Sequence, residues 1–426
     1  MPPRRTLART DEDRARDLVG KLVAHDFAGA VATFDDQMTA ALPLEKLQGV
    51  WSQVESQAGA FQRIESVEVK PTGSGDARLA LVRASFEHAP LLFRIAFRGS
   101  DRVAGFFIAP GDTAAAWQPP TYAKLDAFEE KPVLLGASPV LPGTLTMPKG
   151  TKPVPVVVLV HGSGPNDRDE TIGALKVFKD LAFGLASRGV AVLRYDKRTH
   201  VEPTATVRTQ KDEVEDAAHA AVAMVQTQPG VDASRVVLVG HSQGGYLAPR
   251  IAKADPAIKG LVLLAASTRA LEDALVAQLA YLTTLDPSDA KLASAMEQAK
   301  HFKAVVESPS LKPDDAVAVP FASSTIPGSY FLDVRDYHPE KVAAALGIPM
   351  LVLQGERDYQ VTVADDFGAW NAALAHKKNA TLRTYPGLNH AFATGDGPPS
   401  PADYAKAGHV DQSVVDDIAA WVSALK

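Results

Sequence analysis

The sequence predicts an α/β fold: a doubly wound, mostly parallel sheet with a helical lid insertion, preceded by a small α+β domain. Three observations predict it. From Pro132 onward, short apolar runs alternate with longer helical patterns, the rhythm of repeated strand–helix units. Runs such as Val156-Val157-Val158-Leu159-Val160 are continuous rather than alternating, which suits strands buried on both faces of a parallel sheet. Before Pro132 the rhythm differs: two helical patterns precede four strand-like runs, as when helices cover one face of an antiparallel meander.

The small domain is expected over residues 1–109. Its first helical pattern runs from Leu18, Leu22 and Val23 through Phe27, Val31 and Phe34, and its second spans Leu44 to Ala58. The strand-like runs are Phe61–Val69, Leu79–His88, Leu91–Phe97 and Val103–Ile108, with a turn at Thr72-Gly73-Ser74-Gly75-Asp76 between the first two. His25 and His88 stand alone in this domain and are read as structural or surface residues. Residues 110–131 are a linker candidate, with Pro110, Pro119, Pro120 and a Gly111-Asp112-Thr113 break.

The large domain is expected over 132–426. Its strands read Val154–Val160, Val190–Tyr195, Val236–Gly240, Gly260–Ala265, Met350–Gln354 and Thr381–Tyr385, with an entry hairpin at Val133–Gly136 and Thr144–Met147. Helical windows lie at Ala174–Ser187, Thr206–Gln228, Gly244–Ala254, Val363–His376 and Gln412–Leu425. One stretch, 267–345, breaks the rhythm with helical windows at Leu271–Leu285 and Ala290–Val306 and no strand character. An insertion of that length in an α/β fold is usually functional, and a lid over the site is the expectation. Tyr330, Phe331 and Trp370 are candidates to line a pocket there.

Composition bounds the function. With 46% hydrophobic and 22% charged residues, the chain has the apolar surface for a large core. The formal net charge is −6 and no basic stripe occurs, so a nucleic-acid partner is not expected. The chain has no Cys, which excludes disulfides, thiolate metal sites and a Cys nucleophile. No uninterrupted apolar run approaches ~18 residues, so no transmembrane segment is expected. No signal peptide is visible, so the expected compartment is the cytoplasm, or the exterior if a signal has been removed.

The chemistry concentrates at Gly240-His241-Ser242-Gln243-Gly244. A G-x-S-x-G segment between a strand and a helix puts its Ser on a sharp turn, and the glycines admit backbone packed close by. A serine hydroxyl is a weak nucleophile that needs a base and an orienting acid. In chain order Ser, acid, His, Asp358 follows the strand ending near Gln354, and His390 follows the strand ending at Tyr385. Rival acids are Asp365 and Asp366; the rival base is His409. His241 is read as support for the turn. The oxyanion donors are expected to be the backbone N–H groups of Gln243 and of Ser163, the latter in His161-Gly162-Ser163-Gly164-Pro165, with Gly162 the alternative to Ser163. Dinucleotide, phosphate-loop and metal-ligand spacings are absent, so no cofactor is expected.

From about Pro132 to Lys426 the chain resembles the α/β-hydrolase superfamily, more narrowly bacterial carboxylesterases and dienelactone-hydrolase-like proteins. The blocks that carry the resemblance are His161–Pro165 with Asp167-Arg168-Asp169, Leu193-Arg194-Tyr195-Asp196-Lys197-Arg198, Gly240–Gly245, Gly355–Asp358 with Tyr359-Gln360-Val361, and Asn389-His390. The N-terminal domain resembles cystatin-like, nuclear-transport-factor-like modules fused to such hydrolases. The resemblance implies hydrolysis of a small-molecule acyl ester through a Ser242 acyl-enzyme. Dienelactone hydrolases proper use a Cys nucleophile, and this chain has none. Asp167–Asp169 and Tyr195–Arg198 are expected to form buried ion pairs that brace loops. The alternatives are transfer of the acyl group to an amine or alcohol by an acyltransferase or cyclase, cleavage of small peptides, or a non-catalytic binding role.

Overall fold

The computed structural model describes residues 10–71, 77–99, 102–111, 117–136, 138–203, 205–320 and 325–425. The chain divides into two compact units, Met1–Ala115 and Ala116–Lys426. The expected Thr72–Asp76 turn, and the Asp112-Thr113 part of the Gly111 break, lie outside the described residues.

In the first unit four helices, α1 (Asp11–Val23), α2 (Phe27–Val31), α3 (Asp36–Ala41) and α4 (Leu44–Ala58), precede strands β1 (Phe61–Pro71), β2 (Arg78–Phe86), β3 (Leu91–Phe97) and β4 (Val103–Pro110). The first helical pattern is thus not one helix. His25 takes a left-handed φ of 56°, and Asp26 and Asp35 each start a new helix by accepting a backbone N–H, from Gly29 and Met38 respectively. The strands form an antiparallel sheet in sequence order. Phe34, Trp51, Phe93 and Phe97 fill the core between sheet and helices.

The second unit opens with β5 (Phe128–Leu135) and β6 (Leu141–Pro148), the expected entry hairpin. Phe128–Lys131 therefore belongs to a strand and not to the linker read over 110–131. Its Glu129-Glu130-Lys131 run sits on an open sheet edge, which strips the strand of an apolar signature. There follow β7 (Val154–Val160), the short pair β8 (Thr171–Ile172) and β9 (Leu175–Lys176), α5 (Val177–Ala186), β10 (Ala191–Tyr195), α6 (Arg198–Val201), a π-helical turn at Lys211–Glu215, α7 (Asp216–Gln226), β11 (Val231–His241), α8 (Gln243–Ala254) and β12 (Ile258–Leu264). The insertion comprises α9 (Leu271–Leu285), α10 (Ala290–Glu307), β13 (Ala316–Ala318), β14 (Thr325–Pro327), α11 (Gly328–Leu332) and α12 (Pro339–Ala345). It does contain strands: β13 and β14 pair antiparallel, but each is too short to display a period of two. The chain closes with β15 (Met350–Gly355), a second π-helical turn at Val363–Phe367, α13 (Gly368–Leu374), β16 (Ala380–Tyr385) and α14 (Gln412–Ala424).

The large sheet has eight strands in the order β16-β15-β12-β11-β7-β10-β6-β5. Neighbours from β16 to β10 run parallel, and β6 is antiparallel to both β10 and β5. Central strands are buried on both faces. Val156, Val158 and Val160 join α7, α8 and α13 in one core, while Val157 and Leu159 join α5 and α14 in the other. Each such side chain contributes about 1.5–3 kcal/mol by leaving water. The register aligns the carboxyl ends of the strands: Val160 lies beside Gly240, Gly240 beside Leu263, Leu264 beside Leu353, and Gly355 beside Tyr385. In an open α/β sheet, ligands bind outside those ends. No helix among the described residues is long and apolar enough to cross a membrane.

Candidate active site

Ser242 sits between β11 and α8 at φ 52°, ψ −114°, a conformation that strains any residue with a Cβ. Two contacts hold the turn there. Ser242 N–H donates to Leu264 O at 2.9 Å, and helix packing brings backbone against backbone at the flanking glycines. A Cβ on Gly240 would come within 2.5 Å of Gly244 C and 2.6 Å of Gly245 N; one on Gly244 would come within 2.7 Å of Val160 C and 2.8 Å of His161 O. The strain and the close approach together explain the G-x-S-x-G spacing.

Five loops at the carboxyl ends of β7, β11, β12, β15 and β16 surround a cavity of about 410 Å³, within the usual range for a small-molecule site. Ser163, Ser242, Gln243 and His390 line it, and so do Leu271, Leu275, Phe331 and Val334 from the insertion. Asp358 lies behind His390. Its Oδ2 is 2.6 Å from His390 Nδ1 and accepts Gln354 Nε2 at 3.0 Å; its Oδ1 accepts the N–H groups of Gln360 (2.8 Å) and Val361 (3.0 Å). Both carboxylate oxygens are therefore oriented. The loop carrying His390 is tied by Asn389 Oδ1, which accepts the N–H groups of Ala391 and Ala393.

The rivals are engaged elsewhere. Asp366 is fully buried at the foot of the insertion, where it accepts the N–H groups of Thr268 (2.9 Å) and Thr362 (3.0 Å) and pairs with Arg269 at 2.5 Å. Asp365 lies 3.4 Å from the same arginine. His409 Nδ1 contacts Asp180, 3.1 Å from Oδ1, and Asp180 also accepts Trp117 Nε1 and Val410 N–H. Neither the two aspartates nor His409 lines the cavity. Gly162 N–H, the alternative oxyanion donor, is occupied by Glu170 Oε1 at 2.6 Å. Trp370 packs in the core and donates to Ala266 O, whereas Phe331 lines the cavity and Tyr330 is buried behind it.

Two buried clusters flank Ser242. In the first, His241 Nε2 donates to His390 O at 2.9 Å, and His241 Nδ1 lies 3.1 Å from Glu170 Oε2, an ion-pair contact off the line of the N–H. Burial opposes charge on both. The Glu170 carboxylate, with the His390 carbonyl, nevertheless holds the His241 imidazole above its ordinary pKa, and His241 holds the Glu170 carboxyl below its own. For His161 beside them burial outweighs the pull of the Glu170 carboxylate and takes the pKa down to about 4. In the second cluster, Lys197 Nζ donates to Gly162 O (2.9 Å) and Gln243 Oε1 (2.9 Å) and pairs with Glu213 Oε1 (3.0 Å). Tyr330 OH donates to Glu213 Oε2 at 2.6 Å and accepts Gln243 Nε2 at 2.9 Å. Burial pushes the Glu213 carboxyl up, but Lys197 and the hydroxyl of Tyr330 outweigh it and leave it below the usual carboxylate range. Glu213 sits in the π-helical turn before α7, a distortion frequent at functional sites. The sequence marked Lys197 for a buried ion pair and His241 for support of the turn, but not the partners Glu213 and Glu170 that complete the clusters. Lys197 and Glu170 sit in or beside noted blocks, but Glu213 and Tyr330 lie far from them along the chain.

Further ion pairs brace the loops that follow β7 and β10. Arg168 binds Asp196 through two nitrogens, Nε at 2.9 Å and Nη2 at 2.6 Å. Arg194, buried, pairs with both Asp169 and Glu130. Among the described residues no group of three or more His, Asp or Glu side chains converges as a metal site would.

The chain is similar to several known proteins. Residues 151–395 match the family described as serine aminopeptidase, S33, and residues 15–106 match a family of unknown function, DUF3887. Esterase EstD of Thermotoga maritima is 36% identical over 407 residues, covering 95% of this chain and 93% of that protein. Solved structures with similar folds include Est1E of Butyrivibrio proteoclasticus with bound ferulic acid (TM-score 0.46, 18% identity, 69% of this chain and 98% of that one). An esterase of Pyrococcus furiosus is another (TM-score 0.45, 14% identity, 74% and 96%). With a family match across more than half its length, the chain belongs to the α/β-hydrolases of the serine aminopeptidase S33 family, and it is related almost end to end to the Thermotoga esterase.

Proposed function

We propose that the protein is a serine carboxylesterase that cleaves small acyl esters through a Ser242 acyl-enzyme. The observation that carries this reading is the convergence of Ser242, His390 and the Asp358 behind it with two candidate oxyanion amides at one cavity. With Nδ1 of His390 engaged by Asp358, Nε2 keeps the lone pair that serves as base. Ser242 Oγ attacks the ester carbonyl carbon while His390 takes the hydroxyl proton. The oxyanion of the tetrahedral intermediate rests on the N–H groups of Gln243 and Ser163. The C–O bond then breaks, and the alcohol leaves with the proton from His390. Water adds to the acyl-enzyme by the same route, returning Ser242 and releasing the acid. The lining from Leu271, Leu275, Phe331 and Val334 supports an apolar acyl group.

The domain reading accompanies this one. The insertion over 267–345 is proposed as lid and pocket wall, since α9 and α11 supply part of the lining. The 1–109 module carries no nominated catalytic residue. The test is hydrolysis of p-nitrophenyl esters from acetyl to dodecanoyl by wild type and Ser242→Ala. Turnover that the variant loses is expected, and the chain-length optimum sizes the acyl pocket; equal turnover by both proteins sinks the reading.

A second reading, hydrolysis of small peptides or aminoacyl amides, draws on Glu272. This carboxyl lines the cavity, no ion-pair partner contacts it among the described residues, and burial raises its pKa. It would meet a cationic amine. Faster cleavage of alanine p-nitroanilide than of the acetyl ester would favour this reading.

A further inference from the structure

The carbonyl of Gly162 and the N–H of Ser163 belong to one peptide group. A trans peptide points its C=O and N–H in opposite directions, so whatever fixes the Gly162 oxygen also aims the Ser163 hydrogen. That oxygen accepts Lys197 Nζ at 2.9 Å and Asn166 Nδ2 at 3.0 Å. On the other side of the same ammonium is the side chain of Gln243, the residue whose backbone supplies the partner donor. Of the three N–H donors of an ammonium, one serves Gly162 O and one Gln243 Oε1, and Glu213 Oε1 lies 3.0 Å from the nitrogen as its ion-pair partner. Lys197 is 2% exposed and Glu213 8%, so the pair works away from water, where a charge polarises the peptide it binds most strongly.

We infer that Lys197 is a positioning residue for the oxyanion hole. One buried ammonium grips the two residues that carry the hole's donors, turns the Ser163 N–H into the cavity and strengthens it as a donor. Glu213 and Tyr330 complete the device. The carboxylate lies against the ammonium as its buried counter-charge, and the phenol of Tyr330, on the insertion, accepts Gln243 Nε2 at 2.9 Å and donates to Glu213 Oε2 at 2.6 Å. The inference rests on the acyl-enzyme reading above. It goes beyond that reading in predicting that the Lys197 charge is felt in the transition state and not in substrate binding.

The test pairs two inhibitors with ester kinetics. An alkyl trifluoromethyl ketone forms a hemiketal oxyanion with the serine; the matching methyl ketone largely does not and reports ground-state fit. Losing one oxyanion donor costs about 10²–10³ in kcat. Lys197→Met keeps the N–H but loses its aim and polarisation, so kcat is expected to fall about 10- to 100-fold. KM and methyl-ketone affinity should stay within about twofold, and trifluoromethyl-ketone affinity should fall by the factor seen in kcat. Lys197→Arg keeps the charge and should recover part of both losses. If Lys197→Met fails to fold because Glu213 is left unpaired, Lys197→Met/Glu213→Gln removes both charges and is read by the same numbers. A folded variant with unchanged kcat, or one in which both ketones weaken equally, overturns the inference. A wild type indifferent to both ketones overturns the acyl-enzyme reading itself, and is distinguishable because no variant is needed to see it.

Discussion

Replacing Gly244 by Ala adds one methyl group where the protein has backbone. The new Cβ would stand 2.7 Å from Val160 C and 2.8 Å from His161 O, with Val160 O nearer still. These are main-chain atoms at the end of a central strand, and they have no rotamer in which to yield. Ordinary contact between such atoms is about 3.5 Å, so the start of α8 has to retreat from β7 by roughly half an ångström or more. Ala favours a helix over Gly by up to about 1 kcal/mol, while overpacking a tight site costs about 1–3 kcal/mol, occasionally more. The balance is a net loss of up to about 2 kcal/mol, or several degrees in Tm. The functional loss should be larger in proportion. The retreat moves Gln243 N–H relative to the loop bearing Ser163, and a misplacement near 1 Å costs about 10²-fold. A kcat reduced about 10- to 100-fold in a folded variant is the expectation, read from ester turnover beside thermal melting. Gly49→Ala is the control. Gly49 lies inside α4 with nothing within 4 Å of its added Cβ, so the same substitution should raise stability by about 0.5–1 kcal/mol. Gly244→Ala with wild-type Tm and kcat would refute the close-packing argument for the turn.

Three further outcomes follow from the same contacts. Asp358→Asn should leave the protein folded and reduce kcat by about 10⁴-fold, since the amide favours the wrong His390 tautomer; turnover within tenfold of wild type would remove Asp358 from its role. Asp366→Ala should destabilise by about 3–5 kcal/mol in urea unfolding, because Arg269 and two backbone N–H groups lose a fully buried partner; a change under 1 kcal/mol would contradict the anchor. The Glu170–His241 pair gives a pH signature. His241 is held above its ordinary 6.5, so its contribution is full below 6.5 and is lost as pH rises through the folded value. Glu170 is held below its ordinary 4.5, so its contribution is full above 4.5 and is lost as pH falls through the folded value. Wild-type stability relative to Glu170→Gln should therefore be greatest between about 4.5 and 6.5 and decline on both sides; a flat difference from pH 4 to 9 would show that the pair is not ionic.

What could be read in advance depended on whether the signal was local. β7 and β15 announced themselves because strands buried on both faces need unbroken apolar runs. β11 begins at Val231, earlier than its apolar core suggested, because Asp232-Ala233-Ser234-Arg235 bulges out of the ladder before Val236 rejoins it. The first half of β5 was hidden by charges on its open edge, and β13 and β14 by their brevity. At the site, Ser242 was legible because strain and close packing fix its neighbours as glycine. Asp358 and His390 were nominated by their place after strands, and both lie where the register brings those strands together. The Glu170–His241 and Lys197–Glu213–Tyr330 clusters were not legible. Their members sit on separate elements, and a buried carboxylate in a helical window reads like any solvated one until its partner arrives through the fold.

The most direct measurement is reaction of the protein with a fluorophosphonate, followed by peptide mass mapping. Phosphonylation requires an activated serine with a base and an oxyanion hole, so it tests the site without knowledge of the substrate. A single adduct on Ser242, absent from Ser242→Ala and formed in step with loss of ester turnover, is expected. An unlabelled Ser242, or an adduct on another serine that abolishes turnover, would contradict the assignment.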